Sequence, residues 1–394
     1  MRVSPVRFWP GPPASRRYRS RSRYRGGGMR ADAARWGAPP WRIDVELPRS
    51  PVPERADVAV VGGGFTGLAT ALACAERGAS VHLFETGALG AGASGRTGGL
   101  VLEGTAAGPL PGAEACIDAL RALVRTHDLD CDLDLRGCWI VRHQGAETTA
   151  SPSWPDGDAG RLVVDGEEPG GAVDPGKLVA GLARAALRAG AALHERSHVE
   201  LVAAGRLRAD GSDVSAGRVV VATNAFLERL VPVASLRPAL TFAIATAPLA
   251  PAALEAVGLG RTPFYTGDLP YLWGRATREG RLVIGAGLAF EDEGRVERLA
   301  IEDAAIRASL ERLAARTRGL HEALAAVPIT HAWGGPIAFR EGGVPILAQV
   351  ASGVLATGAY AGHGVALSAA IARIACAWAI DGVAPPAWGA LQGA

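Results

Sequence analysis

Three glycines early in the chain have the spacing of a phosphate-binding turn. Gly62, Gly64 and Gly67 fit the pattern G-x-G-x-x-G directly after a short apolar run of strand type. The Ala/Leu-rich segment that starts with Phe65 and Thr66 and runs to Arg77 predicts a helix. Glycines at these positions permit a tight turn, let the backbone approach a diphosphate and let a helix pack closely on a strand. The helix N-terminus would then face the phosphate charge.

An acidic residue completes this pattern. Glu85 follows a second apolar run, Ser80 to Phe84, at the distance from Gly67 where a carboxylate would bind the ribose hydroxyls of adenosine. A strand, a glycine turn, a helix, a second strand and an acid together predict a dinucleotide site. The pattern alone allows both NAD and FAD.

Two further glycine-rich loops favour the longer cofactor. The run Gly90 to Gly99 is too flexible for a regular element unless a ligand orders it, and the loop Ala359 to Gly364 leads into a final apolar helix. A glycine loop therefore precedes a helix N-terminus at both ends of the chain. A cofactor that touches both ends would be extended, which favours FAD over NAD.

The run His194 to His198 has the form H-E-x-x-H, which supplies two zinc ligands when it lies on a helix. Here the preceding helix pattern stops at Gly190, and the run reads as a strand, where positions four apart are separated by ~13 Å. We therefore expect no metal site at these histidines.

Candidate substrate-contacting residues lie in the second half of the chain. Tyr265, Tyr271, Trp273 and Arg275 would line one face of a sheet if alternate residues faced a cleft, although they could also be ordinary core residues. Arginines could anchor an acidic group of a substrate, or could simply be solvated. These arginines are Arg96, Arg237 and Arg340.

The composition is that of a globular protein large enough for two domains. The 394 residues are 48% hydrophobic and 20% charged, with a formal net charge of +2. Residues 1 to 30 hold nine arginines and no acid, so the remainder is mildly acidic. We interpret residues 1–40 as a disordered tail, either a transit-type extension or a segment upstream of a true start at Met29, and expect no nucleic-acid partner.

Cysteine usage and hydropathy suggest a location. The five cysteines are odd in number and lack C-x-x-C spacing, which is typical of reduced thiols in a cytoplasmic protein. The most apolar stretch, Ala366 to Ile380, is too short to span a membrane and carries Arg373, so we expect no membrane partner.

The order of elements predicts an α/β protein with a Rossmann-like cofactor domain, interrupted by an α+β substrate domain that contains an antiparallel sheet. Helices are expected over Pro111 to His127, from Asp174-Pro175 to Gly190 and over Ile301 to Arg316. The cofactor domain would comprise residues 41–105, 173–235 and 336–383, and the substrate domain residues 106–172 and 236–335.

With these motifs in place, the chain resembles the glycine oxidase, D-amino-acid oxidase and sarcosine oxidase family of flavoproteins, and is most like its γ-glutamylputrescine oxidoreductase-like branch. Five segments carry the resemblance over residues 41 to 383. They are Ala56 to Ala71, Gly92 to Gly99, Val219 to Ala225, Trp333 to Ile337 and Gly362 to Leu367.

The resemblance implies a FAD domain roofed by the substrate domain, and oxidation of a C–N bond with hydride passing to flavin N5. The implied FAD-binding residues are Gly62, Gly64, Phe65, Thr66, Gly67, Glu85, Ser94, Gly95, Arg96, Thr97, Gly98, Ala222, Thr223, Gly362, His363, Gly364 and Val365. The implied substrate contacts are Tyr271, Trp273, Arg275, Trp333 and Arg340. His363 is the one candidate for direct proton transfer, although it could also bind the flavin or serve only the loop.

The chain departs from the family pattern at functional positions. Sarcosine-oxidase-like members place a lysine two positions after the Gly-His-Gly loop, where this chain has Ala366, so an α-amino-acid substrate is less expected. The only lysine is Lys177, so a lysine that activates dioxygen is also missing, and the acceptor could be oxygen or another oxidant. The cysteine and histidine that bind flavin covalently in some members are absent, which points to non-covalent FAD.

The leading hypothesis is thus an FAD-dependent oxidoreductase that converts an amine or amino-acid-like substrate to an imine. The missing lysines motivate an alternative, a non-catalytic flavin-binding subunit of a heteromeric oxidoreductase. An NAD-dependent dehydrogenase is disfavoured, because nothing resembles a second dinucleotide site. The sequence leaves the particular amine and the oligomeric state open.

Overall fold

A computed structural model describes residues 35–203, 205–233 and 235–391. Within them lie six α-helices and eighteen strands. The helices, in chain order, are α1 (Phe65–Glu76), α2 (Cys116–Thr126), α3 (Pro175–Arg188), α4 (Pro251–Val257), α5 (Ala304–Gly319) and α6 (Gly364–Asp381). The strands are β1 (Arg55–Val61), β2 (Val81–Phe84), β3 (Leu100–Leu102), β4 (Cys138–Gln144), β5 (Ser153–Pro155), β6 (Arg161–Glu168), β7 (Gly170–Ala172), β8 (Ala192–His194), β9 (Val199–Ala203), β10 (Arg206–Ala209), β11 (Ser212–Val221), β12 (Arg237–Thr246), β13 (Phe264–Thr266), β14 (Trp273–Ala276), β15 (Leu282–Ala289), β16 (Ile329–Phe339), β17 (Ile346–Ala351) and β18 (Val354–Gly358).

One sheet, which we call the base sheet, has the order β17-β18-β11-β1-β2-β8 and carries β10 and β9 beside β11. Its central strands, from β18 to β8, are parallel. Alternate residues of β1 enter two different cores, Val58 and Val60 on one face and Ala59 and Val61 on the other. Burial on both faces explains why this strand is apolar throughout.

Four helices, α1, α2, α3 and α6, cover one face of the base sheet. Helices α1 and α6 pack on each other and have few exposed side chains, so they are apolar on all sides. Helix α6 has 18 residues and is apolar enough to cross a membrane, which corrects the shorter segment expected from the sequence. Of the 18 residues of this helix, 61% are buried inside the protein, so packing in the core explains why the helix is apolar.

The second sheet, which we call the roof sheet, has the order β16-β12-β15-β14-β13-β4-β6-β5. Neighbouring strands are antiparallel, apart from the parallel pair β13 and β4. Its outer face packs on α5 through Ile306, Leu310 and Leu313. This architecture confirms the predicted α/β fold with a Rossmann-like part and an antiparallel substrate-side sheet.

Several predicted boundaries change. Helix α2 begins at Cys116 rather than Pro111, and it packs on α6 in the base-sheet core although the predicted partition placed it in the substrate domain. Strand β16 of the roof sheet continues to Phe339, beyond the predicted boundary. The start of α3 agrees with its prediction, because the Asp174 carboxylate caps it by accepting from Lys177 N at 2.8 Å.

The prediction of a disordered tail over residues 1–40 is wrong for residues 35–40. Residues 1–34 lie outside the described part of the chain, but Trp36 is only 2% exposed and packs in the roof-sheet core. Residues 35–40 are therefore part of the packed structure, because a buried indole and its hydrogen bonds hold them there.

The H-E-x-x-H run is a break between two strands. His194 ends β8, Arg196 has a φ of +53°, and β9 begins only at Val199. The predicted single strand over this run is thus interrupted. His194 is buried and stacks on Phe84, whereas the His198 side chain is 52% exposed.

Candidate active site

A cleft with a volume of about 3100 Å³ lies between the base and roof sheets. Its floor is formed by the ends of base-sheet strands and by the glycine turns that follow them, as expected for ligand sites of open α/β sheets. The roof comes from β12, β14, β15 and β16. The cleft brings together segments that are far apart in the chain, from Trp36 to Val365.

The first glycine turn forms one end of the floor. Gly62 has a φ of +114°, and a Cβ on Gly67 would lie 1.9 Å from the Gly62 carbonyl oxygen, so both positions require glycine. Gly62, Gly64, Phe65 and Thr66 line the cleft, whereas Gly67 serves the packing of α1 on β1. Gly64, the N-cap residue of α1, has no side chain to cap the helix, although Ser94 Oγ accepts from the first helical N–H, that of Phe65. The positive end of the α1 dipole therefore faces the cleft at this turn, where it favours an anionic group.

Glu85 stands at the end of β2, beside this turn. Its carboxylate accepts hydrogen bonds from the backbone N–H groups of Gly63 and Gly87, both at 2.7 Å. Burial raises the pKa of this carboxyl, while the two backbone donors oppose the rise. Glu85 lines the cleft, as an acid that binds ribose hydroxyls must.

The loop of residues 92–99, which we call the flavin loop, runs along the floor. Ser94, Arg96, Thr97 and Gly98 line the cleft. Ser94 Oγ accepts from Phe65 N at 2.9 Å and so ties the loop to the start of α1. Gly95 does not line the cleft, because it packs on the Gly90 carbonyl, where a Cβ would be 2.4 Å away. The close packing at Gly95 is a reason for glycine at this position that does not depend on a cofactor.

Ala222 and Thr223 follow β11 and also line the cleft. The Oγ1 atom of Thr223 is buried and has no hydrogen-bond partner among the described residues. Because a buried hydroxyl is rarely left unsatisfied, this atom points to a ligand on the floor of the cleft.

The last glycine turn forms the other end of the floor. Gly362 has a φ of +92°, and Gly362, Gly364 and Val365 line the cleft at the start of α6, which has no side-chain cap. His363 is the N-cap residue, but it is not among the residues that line the cleft. Burial lowers the pKa of its imidazole, which favours the neutral ring. Its position suits the helix start better than proton transfer to a substrate.

Tyr271, Trp273 and Trp333 line the roof side of the cleft, as predicted for substrate contacts. The Trp273 ring fits between two glycines, since a Cβ on Gly98 or on Gly285 would lie 2.0 Å from it. Trp333 is 1% exposed, and its Nε1 donates to the Arg96 carbonyl at 2.8 Å. Trp333 thus joins the roof to the flavin loop.

Arg275 does not line the cleft, although it was predicted to contact substrate. It is 5% exposed, and its Nε donates to the Gly98 carbonyl from behind the flavin loop. Burial lowers the pKa of this guanidinium to about 10. The loop lies between Arg275 and the cleft, so this arginine supports the loop.

Arg340 lines the cleft just after β16. Its Nη2 donates to the Ala390 carbonyl at 2.8 Å, whereas its Nη1 is buried and has no partner among the described residues. Arg237 also lines the cleft and lies 5.3 Å from the Phe290 ring. Two guanidinium groups therefore stand on the cleft wall at the ends of β12 and β16.

The sequence reading missed most of the uncharged roof. Thr241, Ala243, Leu288 and Ile337 line the cleft from three different strands. Alternation along β12 would have placed Arg237, Thr241 and Ala243 on one face, but nothing in the sequence alone shows which face covers the cofactor. At the cleft wall, four large apolar side chains are at least 36% exposed. They are Leu269, Tyr271, Leu288 and Phe290.

A charged cluster fixes the segment that carries Tyr271. His143 lies between Asp156 (Nε2 to Oδ2, 2.7 Å) and Asp268 (Nδ1 to Oδ1, 2.8 Å). Arg316 of α5 binds Asp156 through two nitrogens and donates to the Tyr271 carbonyl at 3.2 Å. This partly buried network, centred on the buried Asp156, holds the loop before β14 in one position, and no sequence motif predicted it.

The residues at which the sequence departs from the family pattern occupy different places relative to the cleft. Ala366 is fully buried in the first turn of α6, and Lys177 is outside the cleft, with its Nζ 2.9 Å from Asp132 Oδ2. All five cysteines are buried and free, and none lines the cleft.

An extended dinucleotide fits these features. Helices α1 and α6 both begin at the floor with N-cap residues that make no side-chain cap, and an acid, an unsatisfied hydroxyl and the flavin loop line the same floor. Helix N-termini favour negative charge, so one suits a diphosphate and the other suits the electron-rich edge of a reduced ring.

The chain matches the model of the DAO family, described as FAD dependent oxidoreductase, over residues 57–378. It is 28% identical over 368 residues to a probable oxidoreductase OrdL of Rhizobium meliloti, covering 82% of each chain. It is 26% identical to the gamma-glutamylputrescine oxidoreductase of Escherichia coli, covering 78% of this chain and 80% of that one. Among solved structures, glycine oxidase from Geobacillus kaustophilus superposes with a TM-score of 0.69 at 21% identity, covering 87% of this chain and all of that one.

Proposed function

Because the chain belongs to the DAO family of FAD-dependent oxidoreductases, we propose that it oxidises the C–N bond of an amine or amino-acid-like substrate. The product is an imine, which water hydrolyses to a carbonyl compound and the shorter amine or ammonia. FAD is the cofactor of the family, and the residues on the floor of the cleft fit it.

The single observation that carries the proposal is the pairing of this floor with a roof whose central residues are uncharged, while the two arginines of the cleft wall, Arg237 and Arg340, stand at the ends of β12 and β16. The side chains of Thr241, Ala243, Leu288 and Ile337 face the cleft and carry no ionisable group. A protonated amine has no lone pair to support loss of hydride from the neighbouring carbon, and an uncharged wall disfavours the ammonium form. The roof therefore selects the reactive, neutral amine.

The chain's own residues then bind, orient and shield the substrate. When bound, FAD supplies the oxidising ring that accepts the hydride. Trp273 and Tyr271 offer aromatic surfaces for the substrate's carbon skeleton, while the sheet above excludes water from the reacting carbon. The N-terminus of α6 stabilises negative charge at the end of the floor.

Arg340 and Arg237 suit an acidic group on the part of the substrate that does not react. The Nη1 atom of Arg340 has no partner among the described residues, and a carboxylate would satisfy it. The position where sarcosine-oxidase-like members place a carboxylate-binding lysine is Ala366 here, so that position offers no charge to an acid. This assignment favours amines with a separate acidic group over free α-amino acids.

A substrate screen with two electron acceptors tests the proposal. The purified FAD-loaded chain is incubated with primary and secondary amines, with and without a carboxylate, and turnover is followed by oxygen uptake and by reduction of an artificial dye. We expect turnover of at least one amine with one of the acceptors. A chain that keeps its flavin but turns over no amine would instead support the alternative of a non-catalytic subunit that needs a partner.

A further inference from the structure

Residues 35–47, which we call the strap, connect the cores of the two sheets. At one end, Trp36 is buried in the roof-sheet core, and its Nε1 donates to the Leu299 carbonyl at 3.0 Å. At the other end, Ile43, Val45 and Leu47 pack against the core of the base sheet. The strap therefore crosses from one sheet to the other.

Between these anchors the strap contacts the flavin loop directly. Trp41 Nε1 donates to the Gly95 carbonyl at 2.7 Å. From the loop, Arg96 Nη1 donates to the carbonyls of Gly37 in the strap, at 2.8 Å, and of Gly334 in the roof, at 3.1 Å. Three segments that are distant in the chain thus share one buried guanidinium.

The strap also pairs with the roof strand that bears Trp333. Gly334 N donates to the Trp36 carbonyl at 2.7 Å, and Gly37 forms a β-bridge with Trp333. The rings of Trp41 and Trp333 meet edge to face, with centroids 5.5 Å apart. These contacts hold the indole of Trp41 in the orientation in which it donates to Gly95.

The C-terminal end of the flavin loop is held by β14 of the roof and by Val173, whose N–H donates to the Gly99 carbonyl at 2.9 Å. Trp273 packs on Gly98, and Arg275 donates to the Gly98 carbonyl. A loop rich in glycine and alanine loses much conformational entropy when it is ordered. If neighbouring elements order the loop before the ligand binds, this loss of entropy no longer reduces the binding free energy of the ligand.

We propose that the strap is part of the FAD site, and that Trp41 is a positioning residue that preorganises the flavin loop for the cofactor. The strap touches the loop from behind and adds no wall to the cleft at Trp41. It also precedes residue 57, where the family match begins. The role depends on FAD binding alone and not on the identity of the substrate.

The test compares two tryptophan variants in the full chain. Trp41→Phe removes the N–H donated to Gly95 while keeping an aromatic ring. Its FAD dissociation constant, measured by titrating the flavin-free protein with FAD, should rise by about 3- to 10-fold, the effect of losing one hydrogen bond. Amide hydrogen exchange in residues 92–99 of the flavin-free variant should be faster than in the wild type.

Trp154→Phe is the matched control. Trp154 is more buried than Trp41, so it is at least as important for packing, and its Nε1 also donates to a backbone carbonyl, that of Val257 at 2.6 Å, but it lies in the core of the roof sheet and does not touch the flavin loop. This variant should lower the melting temperature and leave FAD affinity within about 2-fold of the wild type.

Three outcomes would overturn the proposal. In the first, Trp41→Phe binds FAD as tightly as the wild type. In the second, Trp154→Phe weakens FAD binding as much as Trp41→Phe does, which would indicate general loosening. In the third, Trp41→Phe weakens FAD binding without faster exchange in residues 92–99, so that the effect does not pass through the loop.

Discussion

At the scale of single residues, Gly98 shows how closely the cofactor side and the roof approach each other. A Cβ on Gly98 would lie 2.0 Å from the Trp273 ring, and the rigid indole is itself confined by Gly285 on its other side. Neither the backbone at Gly98 nor the Trp273 ring can move away without losing packing energy, because protein interiors are close-packed.

Gly98→Ala should therefore displace the flavin loop and weaken FAD binding by about 10-fold or more, as expected for overpacking by one methyl group. The dissociation constant of FAD for the flavin-free protein measures this. Gly92→Ala is the matched control in the same loop, since a Cβ there meets nothing within 4 Å. A Gly98→Ala variant that binds FAD as tightly as the wild type would show that the contact of Gly98 with Trp273 is unimportant for the cofactor.

The residues that sequence reasoning placed well are those whose role is local. Gly62 and Gly67 owe their identity to a turn within six residues, which a pattern can capture. Trp273 and Arg275 share one face of β14, as alternation predicted, yet only Trp273 lines the cleft. The face of a strand can be predicted from alternation, but a loop from another part of the chain covers Arg275, and alternation carries no information about that loop.

At the scale of elements, the edge of the base sheet contains a pair of histidines. His82 of β2 and His194 of β8 lie side by side, with Nδ1 and Nε2 3.0 Å apart and the rings stacked. Burial lowers the pKa of both imidazoles, and the neighbouring His82 lowers the pKa of His194 further. Folding therefore favours the neutral form of both rings.

This pair predicts a loss of stability in mild acid. A histidine whose pKa is lowered on folding contributes its full stability above the unfolded pKa of about 6.5, and that contribution is lost as the pH falls below it. The urea concentration at the unfolding midpoint of the wild type should thus be lower at pH 5.5 than at pH 7.5. His82→Phe, which keeps a stacked ring without a titrating group, should show a smaller fall.

His198→Asn is the control for this measurement, because the His198 side chain is 52% exposed and stands outside the stack. It should keep the pH dependence of the wild type. A wild-type midpoint that does not change between the two pH values, or an undiminished fall in His82→Phe, would contradict the role assigned to the pair.

Element boundaries were predictable where a capping residue marks them. Asp174 begins α3 as expected, whereas α2 begins five residues later than its apolar pattern suggested and packs with the base sheet rather than the roof. A helix at the junction of two cores can bury its apolar face in either, so its pattern cannot assign it to one. The strap was missed because irregular segments have no hydrophobic period to detect.

At the scale of the whole molecule, two sheets from interleaved parts of the chain enclose one cleft. The sequence order of glycine turns sufficed to predict the cofactor floor, because each turn follows its own strand. The roof depends on β12, β15 and β16 meeting across long chain separations, and on an uncharged surface that resembles any sheet core in sequence. Substrate selection, which we propose lies in that surface, is for this reason the property that the sequence predicts least well.

The measurement that tests the central claim most directly is an anaerobic titration of the FAD-loaded protein with an amine, followed in the visible absorbance of the flavin. The proposed reaction predicts bleaching of the flavin, with one equivalent of carbonyl product per flavin reduced. A flavin that stays bound and fully oxidised with every amine offered, while an artificial reductant still bleaches it, would contradict the claim that the cleft oxidises a C–N bond.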